Sequence, residues 1–239
     1  MEIRPNNKRA NQLIISISIV ALLSLTSFFS KFLQYRLLVN IQEGDIYTDN
    51  QLTNSDLREN IILFAYIIAY VISVVMFIRW FRRAYYNLEQ KESFLSYTNA
   101  TAAWAWFVPI FNLYKPYQMM KEMFSKTELL LENNDIQPRK NLKTSILALW
   151  WVLWIVNGIA DRLDYASSKN LETMDEFLSS SIVSMVHNFL RLPLAFVTIL
   201  FITRYAANET LISQLPDKEE LLNTSPAFHD AKEDIILIE

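Results

Sequence analysis

Four long apolar blocks, separated by polar stretches, set the pattern of the chain. They run from about Asn11 to Leu38, Ile61 to Trp80, Thr144 to Ala160 and Phe177 to Tyr205. About 20 predominantly apolar residues suffice for a helix to cross the hydrocarbon core of a bilayer. Each block is therefore read as a span, and the chain as an all-α integral membrane protein with four transmembrane helices. The first span is longer than a crossing needs. Lys31 and Arg36 near its far end can snorkel to the interface, and Ser24, Ser27 and Lys31 share a face suited to close helix packing. The second span is expected to continue as helix to about Gln90. The fourth is interrupted by His187, Asn188, Arg191 and Pro193.

Between spans two and three lies a stretch of a different kind, Trp80 to Phe124. Its centre, Thr101 to Leu113, is too short to cross a core that takes about 20 residues. Pro109 removes a backbone donor and interrupts any helix running into it. The expected form is a helix-break-helix over 101–133, lying at the cytoplasmic interface or dipping in and returning. Trp and Tyr rings favour the headgroup depth. Beyond Pro116 the pattern is amphipathic: Tyr117, Met120, Phe124, Thr127 and Leu131 recur at spacings of three and four, which predicts one apolar helix face. Residues 1–207 are read as the transmembrane domain with this segment inserted. Residues 208–239 are read as an acidic cytoplasmic tail, ending in the apolar run Ile235–Ile238.

Charge orients these elements. Arg4, Lys8 and Arg9 precede the first span; Arg79, Arg82, Arg83, Lys115, Lys121, Arg139, Lys140 and Lys143 lie between the second and third; Arg204 closes the fourth. The loops 40–60 and 161–176 are acidic. The positive-inside rule places both termini and the central stretch in the cytoplasm, with the cell (inner) membrane as the expected location. The net charge of -3 gives no basic field for nucleic acid. The absence of cysteine excludes disulfides and thiolate chemistry. His187 and His229 are the only histidines, too few for a histidine-rich metal site. No His-Glu-x-x-His, Gly-x-Ser-x-Gly or P-loop pattern occurs. No catalytic residue, metal or cofactor is assigned, and the chain is read as non-enzymatic.

Two motifs carry a resemblance. The first is Trp-x-x-Arg-Ala-x-x-Asn-Leu, on Trp80, Arg83, Ala84, Asn87 and Leu88. The second is Trp-x-Val-Pro-Ile-x-Asn-Leu-x-x-Pro-Tyr, on Trp106, Val108, Pro109, Ile110, Asn112, Leu113, Pro116 and Tyr117, with Trp104 just before it. The chain resembles bacterial multi-pass membrane proteins catalogued as domain of unknown function 4328, over roughly residues 76–154. The resemblance implies a multi-pass architecture and no assigned activity.

Two sets of residues are candidate sites. Arg82, Arg83, Asn87, Trp104, Trp106, Pro109, Asn112 and Tyr117 form an aromatic and basic cytoplasmic platform for membrane lipid or a protein partner. Arg83 and Asn87 share a helix face. They suit either the carbonyls freed by Pro109 and the Asn112 amide, or a lipid phosphate. The second set arises from helical depth. Asn157, Asp161 and Asp164 share a face of span three, and Ser184, His187, Asn188 and Arg191 share one of span four. Pairing Asp161 with Arg191 or His187 would give an outer-leaflet polar cluster of Asn157, Asp161, His187 and Arg191. That cluster is the basis of the alternative reading, a small transporter or channel-like subunit acting as a homo-oligomer.

Overall fold

The computed structural model describes residues 3–215, and every regular element in them is helical. The helices are α1 (Asn7–Gln42), α2 (Asp49–Glu89), α3 (Thr101–Trp104), α4 (Pro109–Asn112), α5 (Lys115–Glu132), α6 (Ser145–Ser167) and α7 (Met174–Ile212). Four of them, α1, α2, α6 and α7, are long and apolar enough to cross a membrane. The four expected spans are present, with shifted ends. Helix α2 starts at Asp49, inside the stretch read as a polar loop, and its first-turn carboxylate suits the positive end of the helix dipole. Helix α6 runs past Ala160 to Ser167. Helix α7 is continuous through Pro193.

Local chemistry sets several ends. Thr173 and Glu176 form a reciprocal capping box at the start of α7. The Thr173 N–H donates to Glu176 Oε2 at 2.9 Å, and the Glu176 N–H donates to Thr173 Oγ1 at 3.4 Å. Gly44, at φ +94°, closes α1, with the Gly44 and Asp45 N–H groups returning to the Ile41 and Asn40 carbonyls. A side chain rarely adopts that backbone conformation. Pro109, expected to break a helix, opens one. It stands at the first position of α4, after Val108 in an extended conformation, where its missing N–H costs no helical bond.

The chain divides into two compact units. Among the described residues, one comprises Asn11–Phe77 and Ser145–Ile202; the other comprises 3–10, Ile78–Thr144 and 203–215. The first unit holds the apolar lengths of all four long helices. Many of its large apolar side chains are exposed, among them Ile15, Leu22, Phe64, Val152 and Phe189, as expected of surfaces that face lipid tails rather than water. Inside it, Trp150 packs against Phe77 and Phe201 with ring centroids 6.1 and 5.1 Å apart. Lys31, expected to snorkel, instead pairs with Glu59 at 3.2 Å, and Glu59 also accepts from Ser30. This ties α1 to α2.

The second unit has an ordinary sequestered core. Trp80, Phe81, Tyr85, Leu88, Phe124 and Tyr205 are fully buried. Tyr205 stacks on Phe124 at 5.5 Å and meets the Trp80 ring edge-on at 6.0 Å. The apolar face of α5 packs into this core: Met120, Phe124, Thr127 and Leu131 are buried, joined by Met119, Met123 and Leu130. Helix α7 has 39 residues, about twice what a hydrocarbon core takes. Its last turns, after Arg204, belong to this unit and lie beyond the apolar run. The boundary drawn for the acidic tail therefore falls inside α7, where Asn208 and Glu209 are buried. The tail beyond residue 215, including Ile235–Ile238, lies outside the described residues.

Removing the largest of these rings should be felt at once. Trp80→Ala is expected to destabilise the protein by about 3–5 kcal/mol, read as a lower thermal midpoint in detergent.

Candidate functional site

The platform residues part company in the structure. Asn87 is 2% exposed and works inward. Its Nδ2 donates to the Arg4 carbonyl at 2.9 Å and to Glu209 Oε1 at 2.7 Å, while its Oδ1 accepts from the Arg4 N–H at 3.1 Å. The expectation that Asn87 would serve Pro109, Asn112 or a lipid phosphate is thus corrected: α2 aims this amide at the N-terminal segment and α7. Arg83 is half-buried and contributes positive charge near Glu209. Arg82 is exposed and donates to Asn99 Oδ1 at 3.5 Å.

Glu209 is the hub of that arrangement. It is 4% exposed, and both carboxyl oxygens accept from Asn6 Nδ2, at 3.1 and 3.0 Å. Asn6 Nδ2 also reaches the Trp80 carbonyl at 3.4 Å. The N-terminal segment is further fixed by the Arg4 guanidinium over the Tyr86 ring, at 4.6 Å, and by Arg9 donating to the Arg79 carbonyl at 3.1 Å. Burial pushes the Glu209 carboxyl up to about 7, against the opposing pull of Asn87, Asn6 and Arg83. A cavity of about 600 Å³ opens beside it, lined by Arg4, Asn6, Asn87, Lys91 and Glu209 among others. Lys91 donates to the Leu215 carbonyl at 2.6 Å. Nothing in the local pattern pointed to this hub, because Asn6 and Glu209 lie in stretches that read as polar ends.

The remaining platform residues gather at the surface of the same unit. Trp104, Phe107, Val108, Pro109, Ile110, Leu113 and Tyr114 are all exposed, with Phe107 at 74% and Ile110 at 71%. Trp106, Asn112 and Tyr117 are half-buried behind them. Lys115 Nζ sits 3.8 Å from the Phe111 ring centroid and 5.0 Å from that of Trp104, placing a cation against the aromatic cluster. The approach to the cluster is braced by carboxylates. Glu122 accepts from Tyr85 Oη at 2.6 Å and from the Ser96 N–H at 2.7 Å, and Glu89 accepts from the Asn99 backbone and side chain.

The polar cluster assembles in the other unit. His187, 2% exposed, lies between two aspartates, with Nε2 2.8 Å from Asp161 Oδ1 and Nδ1 3.0 Å from Asp164 Oδ2. Arg191 pairs with Asp161 at 3.1 Å, donates to Asn188 Oδ1 at 2.9 Å and lies 4.3 Å from the Tyr66 ring centroid. Ser184 donates to Asp164. Two carboxylates thus face one imidazole and one guanidinium. Asn157 stands apart: its amide donates to the Leu153 and Leu190 carbonyls at 2.8 and 3.2 Å, a bridge from α6 to α7. Asp164, Ser184 and Asn188 complete the cluster. Their shared helix faces were legible, and the ring of Tyr66 from α2 was not. No group of three or more potential metal ligands occurs among the described residues.

The family model described as a domain of unknown function, DUF4328, matches residues 46–207. The chain belongs to this family. The match reaches well beyond both motifs, from the start of α2 into the last turns of α7, so it takes in the platform and the polar cluster. It leaves out α1 and Glu209. No curated protein and no solved structure matches the chain.

Asp164 holds both Ser184 and His187, so its charge is integral to the α6–α7 contact. Asp164→Asn is expected to cost about 1–3 kcal/mol, seen as a lower thermal midpoint. Asn157→Ala, which leaves the cluster intact, should leave any pH dependence of that midpoint unchanged.

Proposed function

We propose that this DUF4328 member is a non-enzymatic membrane protein whose aromatic segment 104–115 is a platform for the lipid interface. The observation that carries this reading is the exposed apolar patch of Trp104, Phe107, Ile110 and Leu113, on and beside the short helices α3 and α4, with Lys115 against its rings. Exposed apolar patches of this kind mark interaction surfaces. Two features favour lipid as the occupant. Trp and Tyr flank the patch, which suits headgroup depth, and a cation accompanies it, which suits anionic lipid. The basic residues around the unit agree with a cytoplasmic face and with cytoplasmic termini in the cell membrane. A protein partner docked on the platform is the competing occupant.

The absence of native cysteine allows a clean test. Spin labels on Phe107→Cys and Ile110→Cys should report a depth at the headgroup–acyl boundary in nanodiscs, reached by oxygen more readily than by a water-soluble nickel reagent. Labels as open to nickel as one on exposed Lys8→Cys would sink the lipid reading. Labels shielded from both reagents would point to a protein partner.

A second reading, an oligomeric transporter or channel-like subunit, draws on the convergence of Asp161, His187 and Arg191. Ion flux through proteoliposomes that is abolished by Asp161→Asn would favour it.

A further inference from the structure

We propose that Glu209 is a proton-controlled latch that holds the N-terminal segment 3–9 against α2 and α7. Three observations carry this proposal, and none depends on the lipid platform.

The first is how the segment is fastened. Two of its polar fastenings converge on Glu209: Asn6 donates to both carboxyl oxygens, and Asn87, which clasps the Arg4 backbone through both ends of its amide, donates to Glu209 as well. Whatever changes the carboxyl changes both clasps together.

The second is the state of the carboxyl. Amides are neutral donors and only partly offset the cost of burying a charge. No cation lies within ion-pair distance of Glu209 among the described residues. The titratable groups that act on it are Arg83 from α2 and Tyr205 from α7, and Arg4 and Lys91 line the same cavity, with their charged ends at the Tyr86 ring and the Leu215 carbonyl. With the carboxyl pushed up to about 7, the closed segment favours a protonated Glu209. Asn6 Oδ1 is buried without a hydrogen-bond partner. A half-turn of that amide exchanges its two ends and puts Oδ1 where Nδ2 stands, as the acceptor a carboxylic acid requires, at the loss of the long 3.4 Å bond to the Trp80 carbonyl.

The third is access. The cavity of about 600 Å³ lies between the segment and α7 and reaches Glu209. Water can therefore hydrate the carboxylate once the segment lifts, without disturbing the aromatic core beneath.

The sign follows from linkage. In the open form Glu209 is hydrated and titrates in the ordinary range, near 4.5; in the closed form it titrates at about 7. Closing takes up a proton between these values. The closed form is therefore fully favoured at low pH and is progressively lost as pH rises towards about 7, by up to tenfold per pH unit.

Hydrogen exchange on the full chain in nanodiscs tests this. After correction for the intrinsic rate, opening of segment 3–9 should rise about tenfold between about pH 5.5 and 6.5, while α5 stays unchanged. Glu209→Gln, which keeps the shape and cannot ionise, should abolish that rise. Arg83→Gln removes a charge that favours the carboxylate in the closed form, so it should make the rise continue to a higher pH before it levels off. Exchange that is independent of pH in the natural chain would overturn the latch, as would an unaltered rise in Glu209→Gln. If Glu209→Gln fails to fold, the natural chain's profile and the direction of the Arg83→Gln shift decide the matter.

Discussion

A carboxyl group buried among amides organises the polar-ended unit of this protein. Glu209 draws Asn6 from the N-terminal segment and Asn87 from α2 onto α7. Residues far apart in sequence thereby meet at one group. Burying such a group is unfavourable unless its hydrogen bonds are made, and the two asparagines make them. The aromatic core of Trp80, Phe124 and Tyr205 beneath supplies the apolar burial that holds the three helices together.

The same logic runs differently in the other unit. There the long helices leave many large apolar side chains exposed, so the packing of Trp150 with Phe77 and Phe201 is not the whole of what fixes their neighbours. Polar ties take on the role: Lys31 with Glu59 between α1 and α2, Asn157 across to the Leu190 carbonyl, and His187 between Asp161 and Asp164. In an apolar solvent a polar side chain left alone is costly, so each tie is specific about its partner.

The central stretch joins these two kinds of surface. Helix α5 buries its methionines and Phe124 as a soluble protein would, while α4 and the residues before it leave Phe107, Ile110 and Leu113 uncovered. One continuous segment thus changes from an inward-facing face to an outward-facing one within about two turns. Pro109 and Pro116 mark the change. Pro109 is the first residue of α4 and Pro116 the second of α5, both in the first turn, where a missing N–H does no harm.

The sequence by itself determined the four spans, the amphipathic face of α5, the family and the pairing faces of α6 and α7. Those depend on local periodicity and on the length of apolar runs, which a single chain displays directly. It also displayed Asp161, His187 and Arg191 at compatible depths, because a helix converts residue count into distance. Only the tertiary structure decided what Asn87 and Glu209 do. A motif asparagine beside an arginine reads equally well as a phosphate ligand or a structural clasp, and a glutamate after the last span reads as a solvated tail. Their roles depend on contacts between residues some 83 to 203 positions apart, which no local pattern encodes. The extension of α7 past Arg204 brings Glu209 under the N-terminal segment, and with that a residue of the polar end becomes part of the core.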